Sequence, residues 1–189
     1  SFKARKIEYV PGVGLDNKRF NNYEVNKMEK RRELGVPKDA FIIFSIGELN
    51  KNKNHQVIIK AIEKLGDSNV YYVLCGQGSL DTYLRELSRK LGIEKQIKLL
   101  GFRKDIVELC NVADVFVFPS LREGLSVSLM EAMASGLPII CSDIRGNSDL
   151  VVNRQGGYLV EPNNIDGFSL ALEKLIKSEK TRQEFGEFN

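Results

Sequence analysis

Asp114-Val115-Phe116-Val117-Phe118-Pro119-Ser120 is a short apolar run of aromatic and β-branched residues stopped by a proline. A strand buried on both faces of a parallel sheet should read this way. Three positions on begins Glu123-Gly124-Leu125-Ser126-Val127-Ser128-Leu129-Met130-Glu131-Ala132-Met133-Ala134-Ser135-Gly136-Leu137-Pro138. In it a glycine breaks the chain after one carboxylate, and a second carboxylate follows eight positions later. Together the two segments read as strand, loop and helix, with Glu123 on the loop and Glu131 a turn or so inside the helix. Both carboxylates then lie at a strand's C-terminal end. Open α/β sheets take ligands at that edge, because the helices that follow expose unpaired N–H groups there.

The same alternation extends in both directions. Strand-like runs recur at Ile7–Val10, Phe41–Ile46, Tyr71–Cys75, Ile97–Leu100, Val115–Phe118, Pro138–Cys141 and Tyr158–Val160. Between them lie segments of helical period, among them Val57–Leu65, Leu80–Leu91 and Phe168–Ile176. Regular alternation favours β-α-β units, so the expected fold is α/β: a Rossmann-like, doubly wound parallel sheet with helices on both faces. Turn chemistry marks the joints at Pro11-Gly12-Val13-Gly14, Gly47, Gly76-Gln77-Gly78, Gly101 and Gly156-Gly157. Residues 1–189 are expected to form one domain. Phe2–Val10 enters directly on strand-like sequence and Thr181–Asn189 stops where a helix would be running, which suits a domain excised from a longer chain.

With 189 residues, 42% hydrophobic and 28% charged, the composition is that of an ordinary globular domain with one sizeable core. No apolar stretch approaches the roughly 20 residues needed to cross a bilayer, and the N-terminus lacks a signal peptide's apolar centre. A cytoplasmic location is expected. Cys75, Cys110 and Cys141 are odd in number, far apart and set in apolar surroundings, so buried free thiols are expected rather than disulfides or a zinc site. A formal charge of +3 does not call for a nucleic-acid partner. Lys27-Met28-Glu29-Lys30-Arg31-Arg32-Glu33 mixes signs as a solvated helix face would.

Each candidate site also has a plain structural explanation. N–H groups at Leu125–Ser128 suit a phosphate, and a helical side chain at Glu131 leans back toward the same mouth. A carboxylate there would repel a diphosphate, so its partners should be sugar or ribose hydroxyls. Ser128-Leu129-Met130-Glu131 fits a capping box equally well. The loop Gly47-Glu48-Leu49-Asn50-Lys51-Asn52-Lys53-Asn54-His55 also follows a strand. Its glycine permits close backbone approach and Lys53 could place a point charge on phosphate, although a polar loop of this kind is commonly just solvated. His55 is the only histidine, which excludes a multi-histidine metal site, and a place at a helix N-terminus is expected for it. Gly76-Gln77-Gly78 resembles half a dinucleotide fingerprint, for which tight-turn geometry is a sufficient explanation. In Gly101-Phe102-Arg103 the arginine either meets a base or is a surface cation.

Taken in order, these segments resemble the C-terminal, donor-binding half of a GT-B retaining glycosyltransferase of family 4, the type that builds bacterial exopolysaccharide and capsule. Pro11-Gly12-Val13-Gly14-Leu15-Asp16 resembles the family's entry to its second domain, and Gly47 to Lys53 its glycine-rich loop ending in lysine. Gly76-Gln77-Gly78, Gly101-Phe102-Arg103 and Glu123 through Pro138 follow in the family's order. The resemblance implies that Lys53 and Glu123 are catalytic, Lys53 on the diphosphate and Glu123 on the donor sugar. It places Glu131 on the ribose, the N–H groups of Leu125, Ser126 and Val127 on the distal phosphate, and Phe102 and Arg103 beside the base. Gly47, Glu48, Gly76, Gly78 and Gly124 complete the donor-binding loops. Glu48 is a departure, since many members carry arginine there.

The implied substrate is a nucleoside-diphosphate sugar, a UDP-sugar by preference, with no other cofactor and no metal. The acceptor, a glycan or lipid-linked glycan, would be held by an N-terminal domain that this sequence lacks. Peripheral membrane contact at the inner face is compatible with the full-length protein. Two other classes compete: a non-catalytic glycosyltransferase-like module for nucleotide binding or assembly, to which Glu48 lends weight, and half of a nicotinamide-dependent oxidoreductase, against which the incomplete glycine pattern stands.

Overall fold

The structure is a computed structural model that describes Leu15, Phe20 and residues 25–189. Six strands form one parallel sheet: β1 (Phe41–Ile46), β2 (Val70–Cys75), β3 (Ile97–Gly101), β4 (Val115–Phe118), β5 (Ile139–Ser142) and β6 (Gly157–Val160). Their order is β3-β2-β1-β4-β5-β6. The chain therefore builds outward from β1 in one direction and from β4 in the other, and the loops that leave these two central strands diverge to opposite faces. This reversal opens a crevice at the carboxyl ends of a doubly wound sheet. The Rossmann-like expectation is met, and every strand read from the sequence within residues 25–189 is present to within a residue or so. The run Ile7–Val10 and the motif from Pro11 to Asp16 lie outside the described residues, apart from Leu15.

The helices are α1 (Lys27–Glu33), α2 (His55–Leu65), α3 (Asp81–Lys90), α4 (Ile106–Val112), α5 (Val127–Ala134), α6 (Arg145–Ser148), α7 (Ile165–Lys177) and α8 (Glu179–Phe188). They divide the core into two layers because strand side chains alternate in direction. Ile43, Tyr72, Leu74, Val115 and Val117 join Ile58, Ile62, Phe168 and Leu172 of α2 and α7 on one face. Ile42, Phe44, Val73, Phe116 and Phe118 join Leu109 and Leu129 of α4 and α5 on the other. The central strands read as apolar runs for this reason, broken only by Ser45 in β1, with neighbouring residues serving opposite layers. Phe44 and Phe116, paired in register across β1 and β4, meet edge to face at 5.9 Å, and Phe116 stacks on Phe118 at 6.1 Å. Such pairs add about 0.5–1.5 kcal/mol to their burial and stiffen the two strands that carry the crevice. Cys75, Cys110 and Cys141 are free and buried, as expected, and burial pushes the Cys75 and Cys110 thiols up to about 12.

The mixed-sign helix α1 is the solvated face that its composition suggests at Lys27, Met28, Glu29, Arg32 and Glu33, whereas Lys30 and Arg31 turn toward the rest of the domain. Lys30 pairs with Glu33 at 2.7 Å, Asp105 at 3.0 Å and Glu108 at 2.6 Å, with only 12% of its side chain exposed. Arg31 donates to the carbonyls of Ala40 at 2.6 Å and Val112 at 3.2 Å, and reaches Asp114 at 3.3 Å. α1 buries no residue fully, so charge-assisted hydrogen bonds rather than apolar packing fasten it to α4 and the sheet. Sequence alone cannot separate these two cases, since the partner carboxylates lie some 75 positions away.

Candidate functional site

The loops after β1 and β4 are tied to each other. Leu121 N–H donates to Asn52 O at 2.8 Å, and the Asn52 side-chain amide donates to Arg122 O at 3.0 Å. Across this seam Lys53 Nζ meets Glu123 Oε1 at 2.6 Å, with 21% and 14% of the side chains exposed. The ammonium also sits 4.9 Å from the centre of the Phe118 ring, so it is held by a carboxylate and by an aromatic face. Lys53 is itself oriented from below, its N–H accepted by Asn50 Oδ1 at 3.0 Å. Residues 70 positions apart, singled out separately in the sequence, are thus a contact pair at the switch point.

Beside them begins α5. Its N-cap is Ser126, in extended backbone conformation, whose hydroxyl accepts from Leu129 N–H and lies 3.0 Å from the Ser128 hydroxyl. The capping-box alternative, with Ser128 as cap and Glu131 answering it, is therefore not the arrangement adopted: the helix starts two residues earlier. Leu125, Ser126 and Val127 N–H meet no acceptor among the described residues, and Leu125 and Val127 are about half exposed. Glu131 is half-buried one turn inside α5. Replacing Ser126 with alanine should cost about 1 kcal/mol, a fall of roughly 2–4 °C in Tm for a chain of this size. Thermal unfolding of Ser126→Ala beside Ser128→Ala checks the assignment; an equal loss in the second would restore Ser128 as the cap.

The glycines serve packing between loops. A Cβ on Gly76 would lie 1.8 Å from Gly47 O, and one on Gly78 would lie 2.5 Å from Leu49 O, because the loop after β2 rests its backbone directly on the loop after β1. The two loops share a ladder: Gly47 N–H to Cys75 O at 2.9 Å, Leu49 N–H to Gln77 O at 3.0 Å and Leu80 N–H to Leu49 O at 2.9 Å. Gly124 is different, with open space where its Cβ would be. Beneath it Gly146 of α6 supports the turn, and a Cβ there would lie 2.3 Å from Gly124 O and 2.5 Å from Glu123 O. Nothing in the local sequence around Arg145-Gly146-Asn147 points to this role, since the loop it supports is over twenty positions away.

Phe102 and Arg103 are not brought against the Lys53–Glu123 pair. They follow β3, at the far edge of the sheet, with Phe102 70% exposed. Arg103 donates to both oxygens of Asp105, at 2.8 and 2.5 Å, and to Glu33 at 2.6 Å. Arg103, together with Lys30, holds the Asp105 carboxyl well below the usual carboxylate range. Arg103 thereby locks the loop after β3 to α1, and Glu48 is exposed on the loop after β1. His55 is the first residue of α2, as expected for a helix N-terminus, yet only 2% exposed. Burial and the nearby Lys53 push its pKa down to about 3.

The chain is a doubly wound α/β domain with a cation–carboxylate pair and an open helix N-terminus at its switch point, the edge at which such sheets take ligands. The family model of the glycosyl transferases group 1 matches residues 26–189, and the chain belongs to that family. The UDP-Gal:α-D-GlcNAc-diphosphoundecaprenol α-1,3-galactosyltransferase of Escherichia coli is 35% identical over 176 residues, 90% of this chain and 45% of that protein. Among solved structures, the C-terminal domain of the group 1 glycosyl transferase LpcC of Francisella tularensis superposes with a TM-score of 0.81 at 25% identity, covering 93% of this chain and 94% of that one. The Anabaena protein HepE, in complex with UDP-glucose, superposes at 0.87 with 24% identity, over 93% of this chain and 49% of that one. The fold is thus that of the C-terminal half of GT-B glycosyltransferases. The chain spans about half the length of the curated relatives it matches. No helix among the described residues is long and apolar enough to cross a membrane.

Proposed function

We propose that this chain is the donor-binding domain of a retaining glycosyltransferase that moves a hexose from a nucleoside-diphosphate sugar, a UDP-sugar, to a glycan or lipid-linked acceptor in polysaccharide biosynthesis. The observation that carries the reading is the 2.6 Å Lys53–Glu123 contact beside the open N–H groups of α5. When the bond between the anomeric carbon and the diphosphate oxygen opens, negative charge grows on the leaving phosphate. Lys53 and the N–H groups of Leu125, Ser126 and Val127 are set to favour that state, being fixed before the charge develops. Glu123 and Glu131 take hydroxyls of the sugar and ribose, and Glu123 in addition keeps Lys53 in place. The reading needs no metal. Residues 1–189 form its donor half, and the acceptor is held by a second domain outside this sequence, in a cytoplasmic protein with room for peripheral membrane contact. UDP is preferred over other nucleotides because the relative at 35% identity is named for a UDP-sugar.

Calorimetric titration with UDP, GDP, ADP and NAD tests this directly. Saturable binding of UDP with NAD silent is the expected result. Glu131→Gln removes a charge-assisted hydrogen bond, and should weaken UDP binding by about tenfold or more, since such a bond is worth roughly 1.5–3 kcal/mol. Silence from every nucleotide would favour the non-catalytic reading that Glu48, an acidic side chain exposed on a phosphate-facing loop, lends weight to.

A further inference from the structure

Under the Gly47–Lys53 loop runs a buried chain of polar groups that the proposed chemistry does not use. Ser45 Oγ contacts Val117 O at 2.5 Å, Tyr72 Oη contacts Ser45 Oγ at 2.9 Å, and His55 Nδ1 contacts Tyr72 Oη at 3.0 Å. Each hydroxyl has a single proton, which settles every direction. A carbonyl cannot donate, so Ser45 gives its proton to Val117 O. Tyr72 must then donate to Ser45, and only His55 can supply the proton of the last contact. The ring is therefore the Nδ1–H tautomer, and Nε2 is a bare acceptor. It is buried and meets no hydrogen-bond donor among the described residues, while the backbone carbonyl of Glu48, a second acceptor, also faces the ring. An unpaired buried acceptor is costly to keep, by about 1–3 kcal/mol.

A group that could satisfy it is adjacent. A methyl group placed on Gly47 would touch Lys53 Cδ at 3.3 Å and His55 Nε2 at 3.4 Å, so the lysine stem and the bare nitrogen border the same small space. The Lys53 ammonium carries three N–H donors, of which Glu123 takes one. We propose that His55 is a positioning residue for Lys53: its Nε2, fixed as an acceptor by the Ser45–Tyr72 relay, takes one N–H of the ammonium when a nucleoside diphosphate occupies the crevice. The ammonium is then held from Glu123, from the phosphate and from Nε2, and its direction is set by the sheet itself, since Ser45, Tyr72 and Val117 belong to β1, β2 and β4. The inference rests on the nucleotide reading above.

Because His55 is the only histidine, ¹⁵N NMR of the labelled chain reports it without ambiguity. Without ligand, Nδ1 should resonate as a protonated and Nε2 as an unprotonated ring nitrogen at neutral pH. Adding UDP should move Nε2 toward the protonated range, as a nitrogen accepting a hydrogen bond does, and leave Nδ1 in place. Tyr72→Phe keeps the ring packing and removes the relay; it should allow both tautomers and weaken UDP binding about three- to tenfold, the loss of one oriented hydrogen bond. Nε2 found protonated without ligand, or unmoved while calorimetry shows UDP bound, overturns the inference and leaves the donor reading intact. Absence of UDP binding to the unaltered chain overturns the donor reading and this inference with it. A purely structural relay would lower the Tm of Tyr72→Phe and leave its UDP affinity unchanged, which also counts against the proposal.

Discussion

Lys53→Met should weaken UDP binding by about ten- to a hundredfold, the loss expected when charge-assisted hydrogen bonds worth roughly 1.5–3 kcal/mol are removed. Methionine keeps an unbranched stem of nearly the same length, so packing beside Gly47 and over the Phe118 ring survives while the charge does not. The substitution also leaves Glu123, only 14% exposed, without its cation. That carboxylate would then repel the diphosphate that Lys53 had attracted, and affinity should fall by more than one lost contact. Stability should also fall, by roughly 1–3 kcal/mol, because a largely buried carboxylate is left without its cation. Glu123→Gln is the informative companion. It frees the ammonium and removes the carboxylate's repulsion, so UDP without sugar should bind as well as before or better, while a UDP-sugar loses the contact to its sugar. Calorimetry with both ligands, alongside thermal unfolding, separates these effects. UDP affinity within twofold of the original in Lys53→Met would remove Lys53 from the phosphate site.

Gly76→Ala should be the most damaging single methyl in the crevice. Its Cβ would fall 1.8 Å from Gly47 O, and backbone cannot swing aside as a side chain can, so the loop after β1 must move as a body. Overpacking of a well-packed site costs about 1–3 kcal/mol, and partial loss of the three hydrogen bonds joining the two loops should bring the total to about 2–4 kcal/mol. UDP binding should fall with it by more than tenfold, since Lys53 and His55 ride on the displaced loop. Gly124→Ala is the control. Open space surrounds its Cβ, so stability should hold, and any loss of affinity there reports contact with the ligand itself. A Gly76→Ala protein that melts with the original and binds UDP normally would mean that the two loops are not a rigid pair.

The comparison also separates two kinds of glycine. Gly76, Gly78 and Gly124 all appear in the sequence as glycines on loops that follow strands, open to the same reading as ligand-approach points. In the fold, the first two make room for a neighbouring backbone and only Gly124 faces open space. Gly76 and Gly78 can still border a donor, yet their lack of a side chain is already required by the Gly47–Leu49 loop. Ser126 and Ser128 show a similar limit on a smaller scale. Either could cap a helix that carries Glu131, and the choice fell to the residue that adopts extended backbone at the end of the loop supported by Gly146.

Local sequence pattern is enough to specify the layered architecture, because apolar runs of strand length, helical periodicity and turn residues act over a few positions and need no partner to be read. It also determined the edge at which a site should form, since strand, loop, carboxylate and helix succeed one another within Asp114–Glu131, and the group 1 family was legible from the order of those segments. What each polar group faces follows from the folded arrangement and not from local pattern. Lys53 and Glu123 are joined across 70 positions, Arg103 is engaged by Asp105 and Glu33, Lys30 lies among three carboxylates, and His55 is buried above two hydroxyls and a carbonyl from three strands. Local pattern carries no information on such pairings: they arise when the order β3-β2-β1-β4-β5-β6 brings loops of distant sequence to one edge of the sheet. A polar side chain's partner, and with it its charge, tautomer and availability to a ligand, follows from that convergence.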